Sequence, residues 1–157
     1  MSNDSGKRPL RAIVAEESPA MRRWYAAALA RVAGEIEECD SGWKLLSRLA
    51  DDHPYDLVVA SKWLPGWSGA QILAVLHAAG ARVPFVLVAP FCDAGVRALV
   101  NKVPDAALVE DALDATSLAD AAARVVSGAQ SDRHLRVARL LRAAASRRPA
   151  RLRPTGS

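Results

Sequence analysis

The chain predicts an α/β fold, a doubly wound five-stranded parallel sheet, with a basic extension at its carboxyl end. Three observations carry that prediction. Between Leu10 and Gly128, five short apolar runs alternate with segments of helical character. The runs are continuously apolar rather than alternating, as in strands covered on both faces. After Gly128 the composition changes abruptly and arginine takes over.

The strand candidates are Leu10–Ala15, Glu35–Cys39, Leu57–Ala60, Pro84–Ala89 and Ala106–Val109. In the second, Glu35, Glu37 and Glu38 surround Ile36, which suits an edge strand. The first helix opens at Ser18-Pro19, an N-cap followed by proline at the first helical position, and is expected to run to about Ala33 with Gly34 as its stop. Further helices are expected over Gly42–Ala50, with Trp43 on its core face, and over Gly69–Ala79, Asp93–Asn101 and Ser117–Ser127. Regular βα alternation of this kind implies right-handed crossovers, and in such sheets ligands bind outside the carboxyl ends of the strands. Those ends are Glu16 and Glu17, Ser61, Ala89 and Glu110.

The 157 residues fit one domain, 9–128, and an extension, 129–157. The net charge of +4 divides unevenly between them. From Ala129 onward there are eight arginines and one acid, Asp132, a balance of +7, so the remainder carries +4 − 7 = −3. An acidic globule with a basic tail seeks anionic partners. No apolar run of spanning length occurs, and none of signal-peptide length follows the polar start, so a cytoplasmic protein is expected. Cys39 and Cys92 stand in no metal or redox spacing, which leaves two reduced thiols. His53, His77 and His134 form no ligand set and none falls at a strand end, so no nucleophile–base pair can be built on Ser61 and no enzyme is expected.

Three segments resemble the receiver domain of response regulators, the CheY-like family with its flavodoxin-like fold. Ala12-Ile-Val-Ala-Glu-Glu-Ser-Pro-Ala-Met-Arg-Arg23 is similar to the family's first strand, acidic pair and first helix. Tyr55-Asp-Leu-Val-Val-Ala-Ser-Lys-Trp-Leu-Pro-Gly-Trp-Ser-Gly69 is similar to its third strand and Leu-Pro-Gly-x-x-Gly loop, and Val83–Ala89 to its fourth strand. Receivers accept a phosphoryl group on a strand-three aspartate, hold Mg²⁺ on the acidic pair, and read the phosphate with a threonine and a lysine. Carried over by position, the acidic pair is Glu16 and Glu17, which retain the chemistry to bind a hard cation. The phosphoacceptor position holds Ser61, the threonine position Ala89, the lysine position Glu110 and the aromatic switch position Ala107. A neutral hydroxyl forms no acyl phosphate, and Glu110 would repel one. The resemblance therefore implies a degenerate, or pseudo-, receiver that is not phosphorylated at the usual position. Glu16, Glu17 and Glu110 are expected to converge on one pocket, with a cation partner or a raised pKa among them. Trp63 and Trp67 flank that pocket, either packing the loop or anchoring a partner.

In the extension, Ser131–Ser146 reads as a helix with Val137, Leu140, Leu141 and Ala144 along one side, and Arg147–Ser157 as disordered. Arg133, Arg136, Arg139 and Arg142 recur every third residue, and Arg147 and Arg148 follow. Arginine forks bind phosphate and guanine edges bidentately. Duplex DNA, RNA and an acidic membrane surface all remain open as partners, although 129–157 contains no aromatic for base stacking. A receiver-like domain followed by such an extension also resembles the CheY-like cyclic-di-GMP effectors of the flagellar motor. That resemblance implies cyclic di-GMP as ligand, bound by Ser131, Asp132, Arg133, Arg136, Arg139, Arg142, Arg147 and Arg148, with no metal needed. It also implies a monomer whose partner is the flagellar motor switch, reached through the fourth and fifth helices and strand five. A ligand-independent adaptor, or a nucleic-acid-binding regulator, is the alternative.

Overall fold

A computed structural model describes residues 8–51, 54–111, 113–129 and 142. The elements are β1 Arg11–Ala15, α1 Pro19–Leu29, β2 Glu35–Cys39, α2 Gly42–Leu49, β3 Leu57–Ser61, α3 Gly69–Ala78, β4 Phe85–Val88, α4 Ala94–Lys102, β5 Ala106–Val109 and α5 Ala115–Ser127. All strand pairings are parallel, in the order β2-β1-β3-β4-β5. The glutamate-rich β2 is an edge strand, as its sequence predicts. No helix among the described residues is long and apolar enough to cross a membrane.

Each face of the sheet buries its own cluster. Ile13, Val58, Phe85 and Leu87 meet Leu45, Leu49, Ile72, Leu73 and Leu76 of α2 and α3 on one side. Val14, Leu57, Val59, Val86 and Val88 meet Tyr25 and Leu29 of α1 and Leu118, Ala122 and Val125 of α5 on the other. Burial on both faces is why β1, β3 and β4 read as nearly unbroken apolar runs.

Each helix begins at a side chain that accepts a hydrogen bond from the third helical N–H. These caps are Ser18, Ser41, Ser68, Asp93 and Asp114, and Gln71 returns the bond to make a capping box with Ser68. α5 therefore starts at Ala115 rather than Ser117. α1 stops at Leu29, four residues before its expected end. Val32 and Ala33 both donate to the Leu29 carbonyl, and Gly34 and Glu35 donate to Leu10, so the chain must turn early to enter β2 beside β1.

Trp43 corrects a second expectation. It is not core: α2 buries Gly42, Leu45 and Leu49, and Trp43, 100° round the helix from Gly42, stands 63% exposed. Its ring meets that of Trp67 edge-on, 5.7 Å between centroids at 87°.

Candidate functional site

The carboxyl ends of β1, β3, β4 and β5 gather the residues that the sequence singles out, and the strand register sets their spacing. Ala15 pairs with Ala60 and Ser61 with Val88, so Glu16 and Ser61 follow neighbouring strands at the same level. The loop after β3 is fixed by close packing. A Cβ on Gly69 would lie 2.4 Å from the Ser61 carbonyl oxygen and 2.8 Å from Leu87 Cδ1, and Gly66 has φ +80° beneath the Trp43 ring. Hence the Pro65-Gly66-Trp67-Ser68-Gly69 run can turn tightly across the end of the sheet.

Ser61 is buried, and its Oγ accepts a hydrogen bond from the Trp63 N–H at 3.2 Å. Ala89 is fully buried and its N–H donates to the Val109 carbonyl, continuing the β4–β5 ladder. Ala107 lies on β5, partly exposed. Glu16 is 9% exposed; its carboxylate accepts from the Ser18 N–H at 3.1 Å, and its charge together with burial raises the Tyr25 hydroxyl. Burial is the larger cause, and the pKa reaches about 12. Glu17 is exposed. Arg22 ties this corner together, donating to the Glu16 carbonyl at 2.8 Å and pairing with Glu38 at 3.3 Å.

Glu110 does not join the other two acids. Both its oxygens are held by the Arg97 guanidinium, reached from the first turns of α4. The three carboxylates are thus divided, and the expected cation partner is Arg97. Lys62 stands 3.6 Å from Asp93 and 5.0 Å from the Trp63 ring centroid. These partners, Arg97, Lys62 and Asp93, escape a reading of strand ends because they lie within α4 or one step past the predicted site.

Among the described residues, this corner has the buried Glu16 carboxylate and the neutral Ser61 hydroxyl, and its cations Arg22 and Lys62 pair with Glu38 and Asp93. Among the described residues no three metal-ligating side chains cluster closely enough to hold an ion. Glu16 is the buried member of the acidic pair and Glu17 its exposed member. Burial pushes the Cys39 thiol up to about 11.

Large aromatics frame this end of the molecule. Trp63 is 64% exposed and Phe91, at φ +57°, is 98% exposed, whereas Trp67 packs against the core. Of the expected ligand residues, Ser131, Asp132, Arg133, Arg136, Arg139, Arg147 and Arg148 lie outside the described residues, as do His53, His134 and most of the expected helix Ser131–Ser146. Arg142 is described and exposed.

No family model matches the chain, and no curated protein does. Solved structures do match. The signal receiver domain of the putative response regulator NarL from Mycobacterium tuberculosis shares 20% identity at a TM-score of 0.65, over 78% of this chain and 100% of that one. A CheY-like response regulator receiver domain protein from Methanospirillum hungatei shares 14% at 0.66, over 76% and 95%. The receiver domain of the sensor histidine kinase PA1611 from Pseudomonas aeruginosa, which carries a magnesium ion in its active-site cleft, shares 16% at 0.63, over 76% and 99%. The chain has the receiver-domain fold.

Proposed function

We propose that this chain is a non-enzymatic signalling module, a pseudo-receiver whose input is cyclic di-GMP bound by the arginine-rich segment 129–157 rather than a phosphoryl group on β3. Its output is contact with a protein partner, with the flagellar motor switch as the first to test. The observation that carries the first half is the pairing of Arg97 with Glu110 after β5, together with Ser61 in the acceptor position at the end of β3. The acceptor carboxylate is missing, and the position that should neutralise phosphate bears an acid with its own cation. Support for the second half is compositional: eight arginines and one acid in 29 residues, on a body of opposite charge.

A cyclic dinucleotide offers two phosphates and two guanine edges, each a match for an arginine fork. The acids at the strand ends would repel it, which leaves the extension as its binding element. Moving a two-state equilibrium from 1:99 to 99:1 requires about 5.5 kcal/mol of preference for one state. Several charge-assisted hydrogen bonds, at about 1.5–3 kcal/mol each, are enough.

The test is calorimetric titration of cyclic di-GMP into the full chain and into a variant with Arg133, Arg136, Arg139 and Arg142 changed to alanine, with GTP and a short RNA as controls. Micromolar or tighter binding that needs the arginines and excludes both controls is the expected result. No binding overturns the cyclic di-GMP reading in favour of a ligand-independent adaptor. Equal binding of RNA, weakening steeply with salt, overturns it in favour of a nucleic-acid-binding regulator. In parallel, acetyl phosphate with Mg²⁺ should leave the intact mass unchanged.

A further inference from the structure

The exposed large apolar side chains among the described residues are Trp43, Trp63, Phe91 and Leu113, and all four belong to one end of the molecule. Trp43 stands in the first turn of α2, Trp63 between β3 and α3, Phe91 between β4 and α4, and Leu113 between β5 and α5. Single exposed apolar residues are ordinary on a protein surface, but a set gathered on one rim marks a contact site.

That rim is held together from one strand-to-helix connection to the next. Gly66 passes so close under the Trp43 indole that a Cβ there would lie 2.5 Å from Cδ1 and Nε1. Lys62 Nζ lies over the Trp63 ring and 3.6 Å from Asp93, which joins the connection after β3 to the N-cap of α4. Arg97 of α4 in turn holds Glu110 after β5. Phe91 keeps a left-handed backbone with its ring in solvent, and strain borne for an unpacked side chain points to a use outside the fold. A surface already fixed in this way loses little freedom when a partner binds.

The charge of the rim is one-sided. Two acids lie between β1 and α1, one between β2 and α2, one between β4 and α4, and three between β5 and α5. Lys62 is the one cation in these connections. Arg22, Lys44 and Arg97, in the first turns of α1, α2 and α4, are already paired with Glu38, Asp40 and Glu110.

We propose that this rim is the docking surface for a cationic segment of a partner protein, one that carries arginine or lysine beside large apolar side chains. Its apolar residues bury against Trp43, Trp63, Phe91 and Leu113, its cations meet the acids, and a guanidinium can stack on an indole face. The same acids repel a polynucleotide or an anionic lipid surface. The site is separate from the surface of α4, α5 and β5 that the resemblance implies. It rests on the protein-contact half of the proposed function and not on cyclic di-GMP.

The test therefore uses the full chain without nucleotide and three synthetic peptides. One has arginine, leucine and phenylalanine in amphipathic helical spacing; the second has glutamate for arginine, and the third serine for the apolar residues. Calorimetry and backbone amide NMR at low salt follow each peptide on wild type, and the first peptide on W63A/F91G and E17K/D111K. The first peptide should bind wild type and shift the amides of 40–43, 62–68, 91–93 and 110–113, while those of 79–83 stay in place. The other two peptides should bind at least about tenfold more weakly, and each variant should weaken the first peptide about as much. Because the peptides are compared on wild type, the result does not depend on either variant folding. Equal binding of the first and third peptides overturns the proposal, since charge alone would then explain the contact. Shifts confined to α4, β5 and α5 overturn it as well. So does binding that appears only after Arg133, Arg136, Arg139 and Arg142 are changed to alanine, because the chain's own arginines would then be the occupant. Rim amides that shift when the free chain is concentrated would assign the surface to a second copy instead, and that too overturns it.

Discussion

At the amino-terminal rim of the sheet, charged groups are bound into one network around a buried carboxylate; at the carboxyl rim they are bound mainly in pairs. Asp56 is buried at the start of β3, where its carboxylate accepts from Arg8 at 3.1 Å and from the Arg11 N–H at 2.8 Å, while its own N–H donates to the Arg11 carbonyl. Arg11 in turn binds Glu37 and lies 4.8 Å over the Tyr55 ring, and Tyr55 donates to Glu37. The other rim has the pairs Arg22–Glu38, Lys44–Asp40, Lys62–Asp93 and Arg97–Glu110, with Arg22 also donating to the Glu16 carbonyl, together with Trp43, Trp63 and Phe91 in solvent. Buried hydrogen-bonded charge resists removal, whereas exposed pairs contribute little. The amino rim therefore holds the fold, and the carboxyl rim is available for contact.

The largest expected effect separates the two rims directly. Asp56→Ala strips the Arg11 N–H and the Arg8 guanidinium of a buried acceptor and should lower stability by about 2–3 kcal/mol. Ser61→Ala, at the equally buried carboxyl end of the same strand, removes one neutral acceptor and should cost about 0.5–1 kcal/mol. Urea midpoints at neutral pH with unchanged slopes measure both. Equal costs, or the reverse order, would break the comparison.

A smaller effect, opposite in sign, sharpens it. Phe91 holds a left-handed backbone, φ +57°, with its ring 98% exposed, so the fold bears strain for a side chain that packs on nothing. Phe91→Gly should therefore raise stability by about 0.5–1 kcal/mol, after allowing for the greater freedom of glycine in the unfolded chain. Thermal unfolding checks this, and a loss of stability would mean that Phe91 belongs to the packed structure after all.

Where periodicity alone decides, the chain was legible. The five strand candidates became β1–β5 to within a residue or two, since burial on both faces leaves few other places for the central apolar runs and the glutamates of β2 fit only an edge. Trp43 was misplaced because a short helix with few periodic positions fixes its azimuth poorly, and α1 was overextended because its end is set by the Gly34–Leu10 contact across the sheet. The positions of Glu16, Ser61, Ala89 and Glu110 at the strand ends followed from the alternation of elements. The Arg97–Glu110 pair did not. It joins residues 13 apart through the rotation of α4 against β5, and neither residue type nor spacing carries that rotation.

The smallest effect tests whether the amino-rim network is electrostatic as well as geometric. Burial pushes the Glu37 carboxyl upward, but the hydrogen bonds from Tyr55 and Arg11 and the Arg11 charge outweigh it, so its pKa lies below the ordinary 4.5. A carboxylate whose pKa is lowered by folding adds stability that is present above pH 4.5 and lost as pH falls through the folded value. Glu37→Gln keeps the shape and an acceptor but cannot titrate. Because the group is partly exposed, the variant should be less stable than wild type by only about 0.3–0.5 kcal/mol at neutral pH. The two unfolding curves should then converge at acid pH, where wild type has taken up its proton. A constant gap across that range would assign the role of Glu37 to packing and leave Asp56 as the charge on which the amino rim depends.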